Sequence, residues 1–222
     1  LKHAIYFDPE RNGEGYDLTG NSTVTLHNYG NSSSYLKGGT TDGIRFPTGS
    51  IPTNFTIITV SRYAGNAQAR IFDSVTDNWI HGHHGRYSGV ALYGNSVGWT
   101  SGSSSSGPAA ASSISSGDWL IMGGQNKPSD SKVMINGEII DALKNGGEGN
   151  LQLSINDGVD RGQYSDWEVQ QVLIWNTHLE PDEFKTAYDI INAKRTPNRS
   201  KDWILSTELS QGDPINNPWN GD

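Results

Sequence analysis

Trp167-Glu168-Val169-Gln170-Gln171-Val172-Leu173-Ile174-Trp175 is the stretch that decides the fold. Large apolar side chains fall on both faces of an extended backbone drawn through it, which predicts a central strand covered on both sides. The period then changes. Pro181 suits a first helical position, and Asp182 and Glu183 suit the positive end of a helix dipole. Phe184, Ala187, Tyr188 and Ile191 make an apolar stripe that runs to Ala193-Lys194, and Pro197 forbids much continuation. This is the one convincing helix in the sequence.

Upstream, the pattern is of short strands. Phe55-Thr56-Ile57-Ile58-Thr59-Val60-Ser61-Arg62 is the strongest, rich in β-branched residues and bounded by Pro52 and Gly65. Ala4 to Phe7, Thr23 to Tyr29, Gly43 to Phe46, Ala69 to Asp73, Val90 to Tyr93, Asp118 to Met122, Lys132 to Ile135 and Leu151 to Ile155 continue the series. Asn136-Gly137 predicts a hairpin with a type I′ turn, because both central positions of that turn need positive φ. Ser101 to Ser116 is a Ser/Gly/Ala segment and reads as a long exposed loop. Residues 196–222 are polar and rich in Pro and Asn, with Trp203, Ile204, Leu205 and Trp219 as isolated anchors, and read as a tail or linker.

Composition sets limits. A chain of 222 residues with 27 glycines suits one large all-β domain, and roughly 70% of its extended surface would be hidden on folding. The absence of cysteine excludes disulfides and thiolate metal sites. The net charge of -8, with no basic cluster, argues against nucleic acid as a partner. No apolar run is long enough for membrane insertion, and Leu1-Lys2-His3-Ala4-Ile5 lacks the apolar centre of a signal peptide, as a trimmed terminus also would. Four Asn-x-Ser/Thr sequons, at Asn21, Asn31, Asn54 and Asn198, permit glycosylation without arguing for it.

Several motifs occur in an order that resembles the laminin-G-like, concanavalin A-like domains. Asp17-Leu18-Thr19-Gly20-Asn21 is similar to a segment near their start, and Gly43-Ile44-Arg45-Phe46 to the strand that follows. Phe55 to Arg62, Val133-Met134-Ile135-Asn136-Gly137 and Ser165 to Asn176 resemble later elements, and Leu179-Glu180-Pro181-Asp182-Glu183 resembles their helix entry, with Glu180 in place of the usual capping Ser. The resemblance covers 1–195 and implies an all-β fold: a two-sheet antiparallel jelly-roll sandwich with one short C-terminal helix. Asn78-Trp79-Ile80-His81-Gly82 and Gly98-Trp99 also resemble a subgroup from phage and large algal-virus structural proteins. The resemblance implies recognition of a glycan or of neighbouring protein subunits, at a virion surface or outside the cell.

The sites must come from residues. Glycoside hydrolysis needs two facing carboxyl groups. Asp166 and Glu168 are the only acidic pair at alternate positions on a confident strand, and rim charges explain them as well. The Glu-x-Asp-x-x-Glu pattern of laminarinase-like sandwich hydrolases is absent, as are nucleophile elbows and phosphate loops, so no catalytic residue is assigned. His81-Gly82-His83-His84 could offer two imidazoles to a metal if extended, but reads better as a polar turn around Gly82 and Gly85. Asn156-Asp157-Gly158-Val159-Asp160 and the Asp73/Asp77 turn have the chemistry for calcium, yet Asp-Gly is also ordinary turn chemistry. No cofactor is therefore expected, with calcium the one alternative.

Aromatic residues carry the leading expectation. Sugars stack their CH faces on rings while polar side chains take the hydroxyls. Trp79, His83, Arg86, Tyr87, Tyr93 and Trp99 lie together in sequence and are the candidate ligand-binding residues. The bland alternative is that the tryptophans are core, and Arg86-Tyr87, between Gly85 and Gly89, is the more exposed pair. The sequence thus reads as a non-catalytic, carbohydrate-binding module. The alternatives are a structural capsid, tail or filament subunit, and a polysaccharide lyase or hydrolase.

Overall fold

The computed structural model describes residues 35–94, 117–142, 144–158 and 162–193 with their side chains, together with the backbone of 4–7, 17–19, 25–29, 33–34 and 194–195. The expected tail over 196–222, the loop over 101–116 and Trp99 lie outside the described residues. Two antiparallel sheets and one helix form a jelly-roll sandwich. The strands are β1 (Ala4–Phe7), β2 (Asp17–Thr19), β3 (Thr25–Tyr29), β4 (Ser33–Gly38), β5 (Gly43–Arg45), β6 (Thr56–Tyr63) and β7 (Phe72–Ser74). They continue with β8 (Trp79–His84), β9 (Tyr87–Tyr93), β10 (Leu120–Gln125), β11 (Lys132–Ile135), β12 (Glu138–Asp141), β13 (Leu153–Ile155) and β14 (Trp167–Trp175), followed by helix α1 (Pro181–Arg195).

The larger sheet runs β12-β11-β10-β6-β14-β4-β3, and β1 pairs with the far half of β14 beside β4. The smaller runs β2-β5-β13-β7-β8-β9. The central place of β14 follows from its two apolar faces. Trp167, Val169, Val172 and Ile174 face the sandwich interior, while Trp175 joins Ile58, Val60, Ile121 and Met134 on the outer face. Helix α1 covers that outer face with Phe184 and Ile191. A bulge between Val169 and Gln171 shifts the register, which is why both halves of β14 keep their apolar residues inward. Glu180 caps the helix less conventionally than Ser would: its backbone N–H donates to the Glu183 carboxylate at 2.8 Å, half of a capping box.

The Asn136-Gly137 hairpin has the expected conformation, with φ of 48° and 90°. Asn136 also accepts the Ile121 N–H through Oδ1 at 2.8 Å and so docks the turn onto β10.

Three corrections to the sequence reading follow from packing. First, β10 does not end at Met122 but runs to Gln125, through two glycines. A Cβ at Gly123 would sit 2.6 Å from the Phe184 ring of α1, and one at Gly124 would collide with the Tyr93 hydroxyl. These glycines are close-approach sites within the strand. Gly124→Ala is therefore expected to cost about 2–3 kcal/mol, read from urea unfolding, because the overpacked hydroxyl must move.

Second, Ser33–Gly38 is a strand that the Ser- and Gly-rich sequence does not announce. It is recruited by β14, and Gly38 leaves room for the Trp167 indole, whose ring would lie 2.5 Å from a Cβ there. Third, His81-Gly82-His83-His84 is not a polar turn. It belongs to β8, paired along its length with β9, and the turn comes afterwards at Gly85-Arg86.

Candidate functional site

The interior of the sandwich claims three of the residues expected to touch ligand. Trp79, His83 and Tyr93 are buried between the sheets. Trp79 and Tyr93 stack at 5.0 Å between ring centres, and Phe55 closes edge-on against Tyr93 at 5.1 Å. Ligand contact through these three is corrected to core packing, since period-two alternation aims them at the larger sheet.

The histidines of β8 are part of the same layer. His81 Nε2 is 3.2 Å from the Met122 carbonyl, which can only accept, so that nitrogen carries the proton. Its Nδ1 then accepts from the Tyr93 hydroxyl at 2.8 Å. His83 Nδ1 is 3.4 Å from Ser61 Oγ, and its ring packs edge-on against Tyr63 at 4.7 Å. Burial holds both imidazoles down at about 3, and the proximity of His81 adds to the shift of His83. A serine beside a histidine is half of a nucleophile–base arrangement, but both are enclosed, so Ser61 reaches no substrate.

The acidic candidates are also occupied. Glu168 lies buried on β14 between two cross-strand cations, Arg62 at 2.5 Å and Lys37 at 3.2 Å. Arg62 in turn lies under the Trp119 ring at 4.6 Å, and Tyr35 meets Trp119 edge-on at 5.7 Å. Asp166 accepts the Ala67 N–H. Asp157 holds Arg45, and Asp73 holds Arg70. Asp77 lies against Glu148, whose carboxyl is raised first by that hydrogen bond. Asp160 lies outside the described residues. Among the described residues no three His, Asp or Glu side chains gather as a metal-ligating set.

Of the candidate ligand residues, Arg86 and Tyr87 remain exposed, at the turn between β8 and β9. Gly85 and Arg86, with φ of 57° and 75°, form the two-residue type I′ turn joining β8 to β9. The turn is not a loose tip. Its N–H groups donate to the Ala69 and Gln68 carbonyls at 3.1 and 2.9 Å, which fixes it to the 67–70 loop. Tyr87 follows the turn and pairs across the hairpin with His84. His84 Nε2 lies 2.9 Å from Gln163 Oε1, and the same oxygen accepts from Arg70 Nε at 2.9 Å. Arg70 only donates, so the Gln163 atom is an oxygen and the His84 proton sits on Nε2. Burial, then the Arg70 charge, lowers the His84 pKa below the usual range.

Gln163 precedes Tyr164. Tyr87 and Tyr164, 48% and 41% exposed, are the exposed large hydrophobics among the described residues, and the His84–Gln163 bond ties their segments together. Behind them the buried Arg70 is held at all three of its nitrogens: Nη1 on Asp73 and Nη2 on Asn78, both at 3.0 Å, besides Nε on Gln163. The structure thus keeps Arg86 and Tyr87 at an accessible position and adds Tyr164, Gln163 and His84. Tyr164 lies 77 positions from Tyr87 in a turn-rich stretch, and no local pattern links the two.

No family model and no curated relative matches the chain by sequence. The fold is similar to solved structures. Domain 4 of AbnA, a GH43 extracellular arabinanase from Geobacillus stearothermophilus, in complex with arabinotriose, matches with a TM-score of 0.55 over 84% of this chain and 97% of its own, at 15% identity. A structure from work on botulinum neurotoxin type C, whose cell entry depends on interaction with two ganglioside molecules, matches at 0.55 over 86% and 51%, at 16% identity. The binding domain of botulinum neurotoxin DC, in complex with rat synaptotagmin II, matches at 0.56 over 86% and 52%, at 13% identity. The chain spans about half the length of these neurotoxin chains. Likeness at this level of identity establishes the jelly-roll fold alone.

Proposed function

We propose that this chain is a non-catalytic carbohydrate-binding module that holds its ligand at the β8–β9 turn, with Tyr87 and Tyr164 as stacking platforms. The setting we assign is extracellular or a virion surface, in keeping with the resemblance of Asn78 to Gly82 noted above. The observation that carries the reading is that the two segments bearing the exposed tyrosines are joined by the His84–Gln163 hydrogen bond, with Arg70 behind it. An exposed tyrosine offers an apolar ring face for a sugar to stack on, and its hydroxyl suits a wet, polar ligand. His84, paired across the hairpin with Tyr87, and Gln163, next to Tyr164, are the polar side chains offered to sugar hydroxyl groups, and Arg70 keeps Gln163 from rotating. The AbnA domain, whose fold is similar, is in complex with arabinotriose, which supports the reading.

The test is a glycan array with the wild type, Tyr87→Ala and Tyr164→Ala, followed by calorimetry on the best ligand. Each single substitution is expected to weaken binding about tenfold, as for a lost aromatic anchor. Binding that neither substitution changes would place the site elsewhere, and no binding by the wild type would remove the glycan reading. We propose further that binding needs no calcium, because Asp73 and Asp157 already serve Arg70 and Arg45. Affinity is then unchanged by a chelator.

A further inference from the structure

Among the described residues, cations are nearly all paired with carboxylates. Every described Arg and Lys side chain except Arg86 and Lys144 lies within ion-pair distance of a carboxylate. In a chain of net charge -8, an arginine without an acidic partner among the described residues is notable. Of the two, only Arg86 is followed by an exposed aromatic ring, Tyr87.

Arg86 also occupies a position that disfavours it. The second central residue of a type I′ turn is held at positive φ, where glycine is relaxed and a long side chain is strained. The backbone of the turn is held by the 67–70 loop, while the Arg86 side chain has no ion-pair partner among the described residues, so a strained residue kept at an exposed turn points to something the side chain meets. Two described carboxylates of the adjoining segments have other partners: Asp73 is on Arg70, and Asp166 is on the Ala67 N–H. The guanidinium is a planar fork suited to two oxygens of an anion.

We propose that the β8–β9 site selects glycans carrying an anionic group, a carboxylate or a sulfate, and that Arg86 is the residue that binds that group beside the sugar-stacking tyrosines. This rests on the glycan reading above and narrows its ligand class. The probes are tetragalacturonic acid, 3′-sialyllactose and a sulfated galactan oligosaccharide, each compared with its methyl-esterified, unsialylated or unsulfated counterpart. They separate carboxylate from sulfate as the source of the charge.

The expected result is that at least one acidic probe binds about tenfold more tightly than its neutral counterpart, as for a hydrogen bond to a charged group, and that the preference shrinks with added salt. Arg86→Gly should abolish the preference while leaving the melting temperature equal or higher, since glycine relaxes the turn. A loss of folding cannot then explain the lost binding. Equal affinity for acidic and neutral probes, unaffected by Arg86→Gly but reduced by Tyr87→Ala, would overturn the anionic selection and leave the glycan reading standing. Failure of every probe, acidic and neutral, would overturn both.

Discussion

Lowering the pH from 7 to 5 is expected to remove about 4 kcal/mol of folding stability, because His81 and His83 must stay neutral in the fold. Their pKa values fall from 6.5 to about 3, with desolvation as the first cause for each. In the unfolded chain both rings charge near pH 6.5, whereas in the sandwich they do not. The unfolded state therefore takes up more protons below that pH, and stability present above it is lost as the pH falls toward 3. Among the described residues no carboxylate pairs with either ring. His81 meets the Tyr93 hydroxyl and the Met122 carbonyl, and His83 meets Ser61, the Tyr63 ring and His81 itself. Urea titrations at pH 7, 6 and 5 measure the slope. His83→Phe should keep the contact with Tyr63 and cut the slope by roughly half, since one of two groups no longer titrates. A stability that stays flat from pH 7 to 5 would mean that the rings charge in place, which a dry interlayer cannot allow.

Arg70→Ala is expected to cost about 3–5 kcal/mol, the range for removing one partner of a buried ion pair. Asp73 is nearly as enclosed as Arg70, at 4% against 6% side-chain exposure, and would be left without its guanidinium. The substitution also removes a donor from Asn78 and one of the two donors that hold Gln163 Oε1. Its effect therefore passes from the fold to the site. Sugar affinity should fall even at temperatures where the variant remains folded, because Tyr164 follows Gln163. Arg70→Met combined with Asp73→Asn should recover much of the stability, since no uncompensated charge remains. It should not recover affinity, because a thioether cannot orient Gln163. Recovery of both would separate Arg70 from the site.

These two results bear on one point about how the protein is built. The β8 strand carries a neutral, buried face inward and, through the turn that follows it, an exposed polar group outward. In sequence these look alike: His81, His83, Arg86 and Tyr87 are polar or amphipathic residues scattered among glycines. Burial separates them. His81 and His83 face the larger sheet because alternate residues of a strand share a face, and Arg86 and Tyr87 face water because the hairpin reverses there.

The sequence by itself determined what depends on local chemistry. The two-faced run of Trp167 to Trp175, the Pro181 helix start and the Asn136-Gly137 turn each have a short-range physical cause, and each took the form that cause requires. Only the tertiary structure decided the rest. It made a strand of Ser33–Gly38 by pairing it with β14, carried β10 through Gly123 and Gly124 to admit Phe184 and Tyr93, and drew Trp79, His83 and Tyr93 inside. It also set Tyr164 beside the hairpin of Tyr87 through the His84–Gln163–Arg70 bonds. Sheet pairing and layer packing join residues far apart in the chain, and their energies depend on which surfaces meet, a property that no window of neighbouring residues contains.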